Sequence, residues 1–92
     1  MATHKSLQEI GYEVIEDIQR ILSKQIKCYD ENLHMLALQR LKLVESCEGN
    51  TAIREAIEAC LVDILSCDNA SWDTPYEAFN QDLARLTSLL KE

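Results

Sequence analysis

The chain has 92 residues and a net charge of −7, with 47% apolar and 27% charged side chains. This length fits one domain spanning residues 1–92, and two glycines with one proline leave few positions for the turns of a sheet. The acidic charge makes nucleic acid an unlikely class of partner, because binding to phosphates needs clustered Lys and Arg.

The first predicted helix begins after Ser6, whose side chain can cap it. Apolar residues then recur at helical spacing as far as Ile26, while the opposite side of the helix is charged. The apolar positions are Leu7, Ile10, Val14, Ile15, Ile18, Ile21, Leu22 and Ile26.

The second predicted helix follows the polar run YDEN at 29–32, in which Asp30 or Asn32 can act as the N-cap. It extends from about residue 33 to residue 47. Its apolar residues form a wide arc: Leu33, Leu36, Ala37, Leu41, Leu43, Val44 and Cys47.

Three residues of this second helix break its pattern. Arg40 falls near the middle of the apolar arc, where it either extends past its neighbours to water or pairs with a partly buried carboxylate of another helix or chain. Met35 and Leu38 project on the opposite side and indicate a second contact surface. The alternative is that both are singly exposed apolar residues, which are common.

The run EGN at 48–50 ends the second helix, with Gly49 suited to the left-handed position after a helix. Asn50 or Thr51 then caps a third helix. Its apolar side carries Ile53, Ala56, Ile57, Cys60, Leu61, Ile64 and Leu65.

The fourth helix has the clearest start, because Thr74, Pro75 and Glu77 fall at the N-cap, first and third positions of a capping box. A narrow apolar stripe follows at helical spacing, as expected of a helix that closes one side of a core. Its members are Tyr76, Phe79, Leu83, Leu86 and Leu90.

Four amphipathic segments with short connections predict an all-α fold, an antiparallel four-helix bundle. The alternative is a pair of helical hairpins: the first two segments fuse into a long hairpin that completes a shared core only by dimerisation. No run of about 18 apolar residues is present, and the amino terminus has no signal-peptide pattern. The sequence therefore predicts a cytoplasmic protein that makes no membrane contact.

Trp72 lies just before the start of the fourth helix, within an acidic neighbourhood formed by Asp68, Asp73 and Glu77. Its ring either folds back over the end of the bundle or serves as an anchor for a basic protein partner. Tryptophan is strongly enriched at binding hot spots. The predicted partner-binding residues are Trp72, Asp68, Asp73 and Glu77, together with Met35 and Leu38.

The residue types needed for metal binding or catalysis do not form a recognisable motif. The four cysteines lack a close CxxC pair, and the two histidines stand alone, so no metal or cofactor is expected. Cys28 and Cys67 would lie at the same end of an up-down bundle, which leaves a disulfide between them as an alternative to reduced thiols. Neither a glycine-rich phosphate loop nor a catalytic triad is apparent, so no enzyme is predicted.

The charge is unevenly distributed along the chain. Residues 1–46 carry six basic and seven acidic side chains, a net charge of −1, whereas residues 47–92 carry three basic and nine acidic ones, a net charge of −6. A basic protein partner would be attracted to the second half first. This pattern favours a small acidic protein that inhibits or neutralises a protein partner, by analogy with immunity proteins, antitoxins and phage-encoded inhibitors. The alternative is a structural, adaptor or secretion-chaperone bundle that self-associates, as a homodimer, through the second helix.

Overall fold

The computed structural model describes residues 6–47, 49–67 and 76–91. This part of the chain contains four helices and no strand: α1 (Leu7–Leu22), α2 (Glu31–Ser46), α3 (Thr51–Leu65) and α4 (Tyr76–Lys91). The helices pack against one another around one core, which confirms the predicted four-helix bundle. Because α1 and α2 are separate helices and the core is formed within a single chain, the alternative with a shared core is not adopted.

Three of the helix starts are capped by side chains, as predicted. The Ser6 hydroxyl accepts from the Glu9 N–H (3.2 Å) and Asp30 accepts from the Leu33 N–H (3.1 Å). Asn50 accepts from the first N–H groups of α3. Such caps satisfy amide groups that have no partner within the helix, and each contributes about 1 kcal/mol. The predicted cap of α4, at residues 74 and 75, lies outside the described residues.

The first helix ends earlier than its apolar pattern, which continues to Ile26. Lys24 adopts a φ of 65°, in the left-handed region. Its N–H donates to the Ile21 carbonyl (3.0 Å) and the Gln25 N–H donates to the Arg20 carbonyl (2.9 Å). These two bonds form a Schellman motif, which normally contains glycine at the left-handed position. A lysine gives no such signal in the sequence, although Ile26 still packs against the core beyond the turn.

The two glycines occupy positions where a side chain would be obstructed. A Cβ at Gly11 would lie 2.9 Å from Leu90 Cδ1, so glycine allows α1 to approach α4 closely. Gly49, between α2 and α3, has a φ of 153°, which side chains rarely tolerate, and a Cβ there would lie 2.9 Å from Leu7 Cδ1.

The third helix is the centre of the bundle. It packs against α1, α2 and α4, whereas α1 meets α2 over a narrow contact and, within the described residues, α2 and α4 do not meet. Its buried side chains accordingly extend round a broad side of the helix: Ile53, Ala56, Ile57, Cys60, Leu61 and Ile64. On α4 only Phe79 and Leu86 are buried, as expected for the narrow stripe of a closing helix.

Candidate functional site

Exposed large apolar side chains are concentrated on α2. Seven such side chains occur among the described residues, and α1, α3 and α4 carry one each. The other four lie on α2 and define what we call the α2 face: Met35 (59% exposed), Leu36 (43%), Leu38 (51%) and Leu43 (43%). One exposed apolar residue on a helix is ordinary, but here Met35 and Leu38 adjoin on one side of the helix and Leu36 and Leu43 adjoin about 120° round from them, so α2 presents two exposed apolar pairs.

This exposure follows from which side of α2 faces the core and from which helices pack beside it. Its inner side is formed by Leu33, Ala37 and Val44, and Met35 lies on nearly the opposite side of the helix. The sequence correctly placed Met35 and Leu38 away from the core. It was wrong for Leu36 and Leu43, which belong to the apolar arc but remain exposed, because the narrow contact with α1 leaves that side of α2 uncovered.

Arg40 closes the contact between α1 and α2. Its guanidinium donates to Asp17 Oδ2 and to Glu13 Oε1, the latter at 3.2 Å, and both carboxylates lie on α1. The side chains of Arg40 and Asp17 are only 12% and 10% exposed. Of the two interpretations of Arg40, pairing with a carboxylate of another helix is therefore the observed one.

This ion-pair cluster has a structural role rather than a binding role. A guanidinium held by two carboxylates has its charge compensated, and its near burial leaves no room for an anionic ligand. Such a pair adds little to stability compared with well-packed apolar residues, but losing one partner is costly. Arg40 thus fixes where α2 lies against α1 and, with it, the direction of the α2 face.

Of the predicted site around Trp72, the structure describes Glu77. Trp72, Asp68 and Asp73 lie outside the described residues. Glu77 is exposed in the first turn of α4. Its neighbour Tyr76 is 40% exposed, so the first residue of the predicted apolar stripe is not part of the core.

A cleft adjoins Tyr76 at this end of the bundle. It has a volume of about 230 Å³ and is lined by Lys24, Lys27, Cys28 and Tyr29 among others. The Lys27 ammonium lies 5.5 Å from the centre of the Tyr29 ring, within range of a cation–π interaction. The surroundings of Tyr76 therefore include lysines from the connection between α1 and α2. The sequence did not reveal this, because these residues are about 50 positions away from Tyr76.

Two carboxyl groups meet between α3 and α4. Burial, a hydrogen bond shared with Asp82 and the charge of Asp82 together raise the pKa of Asp63 to about 7. Asp63 Oδ2 is buried and has no hydrogen-bond partner among the described residues. A proton on Asp63 allows it to donate to Asp82, whereas ionisation places two negative charges side by side. Burial, with the charges of Asp82 and Asp63, likewise raises the pKa of Cys60 to about 12, so this thiol is not a nucleophile at neutral pH.

The Asp63 carboxyl group makes the stability of the bundle depend on pH. Between about pH 4 and pH 7 folded Asp63 retains a proton that the unfolded chain has released, so the free energy of unfolding falls as pH rises through this range. Because Asp63 is partly exposed to solvent, we expect a loss of only about 1 to 2 kcal/mol between pH 5 and pH 8. Asp63→Asn should flatten this dependence and stabilise the protein at pH 8, as measured by urea unfolding.

Glu55→Gln, an exposed change on the same helix, is the matched control and should leave the pH dependence unaltered. An Asp63→Asn protein that loses as much stability between pH 5 and pH 8 as the unmodified chain would contradict this assignment.

Among the described residues, the remaining polar groups do not form a metal site. No group of three or more His, Cys, Asp or Glu side chains in the described part of the chain could hold a metal ion. The four cysteines are thiols, and Cys28, Cys60 and Cys67 are buried. Among residues 6–47, 49–67 and 76–91, no helix is sufficiently long and apolar to cross a bilayer.

The α2 face is therefore the clearest candidate site in the described part of the chain. It combines exposed apolar side chains with a fixed position, since Arg40 ties α2 to α1 and the buried residues of α2 pack on α3. Comparison of the chain with protein-family models, with curated proteins and with solved structures found no match.

Proposed function

We propose that this protein is a protein-binding module without catalytic activity and that the α2 face is its contact surface. The observation that supports this proposal is the exposure of Met35, Leu36, Leu38 and Leu43 on a single helix. The four thiols fit action in a reducing compartment such as the cytoplasm.

Covering the α2 face supplies part of the free energy that binding needs. Complete burial of a Leu or Met side chain gains about 1.5 to 3 kcal/mol relative to exposure. These four side chains are about half exposed, so covering them would gain about 3 to 6 kcal/mol in total. Association also costs translational and rotational freedom, so polar contacts at the rim must add to this gain. Glu31 and Lys42, both exposed on α2, are available for such contacts.

Leu38→Glu tests this proposal. A charge at position 38, beside Met35, should reduce capture of the partner at least about tenfold, because the carboxylate would be buried against apolar groups without a counter-charge. The measurement is quantitative mass spectrometry of proteins retained from an extract of the source cells by the tagged full-length chain.

Val62→Glu on α3 is the matched control, because Val62 is 52% exposed and Leu38 is 51% exposed. Capture should be unchanged by Val62→Glu. Equal capture by Leu38→Glu and the unmodified chain would refute the α2 face as the contact surface. Both variants should retain their helicity by circular dichroism, since both positions are exposed.

A second candidate function is neutralisation of a basic protein partner. It is supported by the net charge of −6 in residues 47–92. Tyr12, 56% exposed, lies on the same surface of α1 as Glu9 and Glu16, and tyrosine is enriched at binding hot spots. In the capture experiment this function would appear as a basic partner that is retained by Leu38→Glu and released by salt.

A further inference from the structure

The outward side of α2 has a regular pattern along the helix. Glu31, Met35, Leu38 and Lys42 are all exposed and follow one another at intervals of four, three and four residues. This is the spacing at which side chains form the seam of a helix that packs on another helix. We call these four residues the outward seam.

The outward seam is complementary to itself when a second copy is turned by 180°. With a twofold axis between Leu36 and Ala37, Met35 of one copy lies opposite Leu38 of the other, because both are equally far from the axis. By the same symmetry, Glu31 of each copy lies opposite Lys42 of the other. A twofold interface thus repeats each contact, with apolar pairs at the centre and an ion pair at each end.

We infer that the partner of the α2 face is a second copy of this chain, bound antiparallel along α2. This inference rests on the proposed function of that face. Leu36 and Leu43 lie about 120° round the helix from the outward seam, so they stay outside this contact. Helices of 16 residues give a contact about 24 Å long, so the interface is small and the dimer depends on concentration.

The number of exposed apolar side chains favours this contact over other self-contacts. Two copies with a net charge of −7 each repel one another, so a self-contact needs apolar surface to offset the repulsion. Apart from Arg40, Glu13 and Asp17, which pair with one another, α2 carries two acidic and one basic side chain, and so does α1. The two helices are therefore equal in charge, but α1 and α4 have only one exposed large apolar side chain each.

Exchange of charges at the ends of the outward seam tests the inference. Glu31→Lys alone and Lys42→Glu alone each place like charges opposite one another at both ends, and each should raise the dimer dissociation constant about tenfold. Glu31→Lys with Lys42→Glu in one chain should restore it to within about threefold. An equimolar mixture of the two single variants should form mixed dimers in preference to either homodimer. Analytical ultracentrifugation gives the dissociation constants, and native mass spectrometry identifies the mixed dimer.

Glu9→Lys on α1 is the control. Glu9 and Glu31 both lie in the first turn of a helix, so each substitution removes the same favourable interaction between a carboxylate and the helix dipole. Glu9→Lys should not change the dissociation constant more than about twofold. The inference is overturned by a chain that is monomeric up to millimolar concentration, or by a double variant that remains as weak as the single variants.

Failure of this inference can be distinguished from failure of the proposed function. If the purified chain is monomeric but Leu38→Glu still loses a different captured protein, the α2 face binds that protein and only the homodimer is excluded. If the chain is monomeric and Leu38→Glu captures the same proteins as the unmodified chain, both are excluded.

Discussion

Replacement of Arg40 by methionine is expected to lower the free energy of unfolding by about 3 kcal/mol. Methionine retains an apolar stem of similar length, so the loss arises from charge. Asp17, with a side chain only 10% exposed, and the half-buried Glu13 would both lose the guanidinium that compensates them, and the remaining contact of Asp17 with Arg20 is longer, at 3.8 Å. Urea unfolding followed by circular dichroism at pH 7 measures the change.

The control for this experiment is Arg20→Met on the surface of α1. Arg20 also pairs with carboxylates, Glu16 at 2.9 Å and Asp17 at 3.8 Å, but its side chain is 50% exposed. Its loss should cost less than about 1 kcal/mol. Combining Arg40→Met with Glu13→Gln and Asp17→Asn should recover part of the stability, because the uncompensated charges are removed. If Arg20→Met and Arg40→Met lower the free energy of unfolding equally, the cluster of Arg40, Asp17 and Glu13 is not buried.

Phe79→Ala is expected to have the largest effect, a loss of about 4 kcal/mol in the free energy of unfolding. Phe79 is 0% exposed and belongs to the core cluster, so its truncation removes buried apolar area and leaves a cavity. Domains of this size have a total stability of only about 5 to 10 kcal/mol, so the variant should retain a small margin. The midpoint of urea unfolding measures the loss.

Phe79→Leu provides the graded comparison. Leucine fills much of the same space, so it should cost about 1 to 1.5 kcal/mol. If both substitutions cost less than 1 kcal/mol, the core around α4 does not have the observed packing.

The fold could be predicted from the sequence because its signals are local. Ser6, Asp30 and Asn50 begin helices through contacts within three residues, and the apolar spacing of each helix depends on the same short range. The end of α1 near Lys24 was missed because its cause is the backbone conformation rather than the residue type. A lysine in the left-handed conformation is stabilised by two backbone hydrogen bonds, and the side chain gives no sign of it.

The site could be predicted only in part, because exposure depends on which helices are neighbours. Met35 and Leu38 point away from the core of any bundle that buries Ala37, so periodicity was sufficient for them. Leu36 and Leu43 would be covered if α1 lay fully against α2. The narrow contact between these helices is a property of the assembled bundle.

Contacts between charged residues that are far apart in the sequence could not be predicted from sequence patterns either. The partners of Arg40 lie 23 and 27 positions earlier in the chain, and many other carboxylates were equally plausible. Similarly, the meeting of Asp63 with Asp82 requires the pairing of α3 with α4 in one register.

The central position of α3 has a consequence for synthesis of the chain. A ribosome releases α1 and α2 first, and these two helices share only a narrow contact. The helix against which both of them pack is the third to emerge, so the apolar side chains of α1 and α2 remain in water until about residue 65 has left the exit tunnel. During this interval the nascent chain exposes more apolar surface than the finished protein, and we expect it to bind chaperones that act at the ribosome.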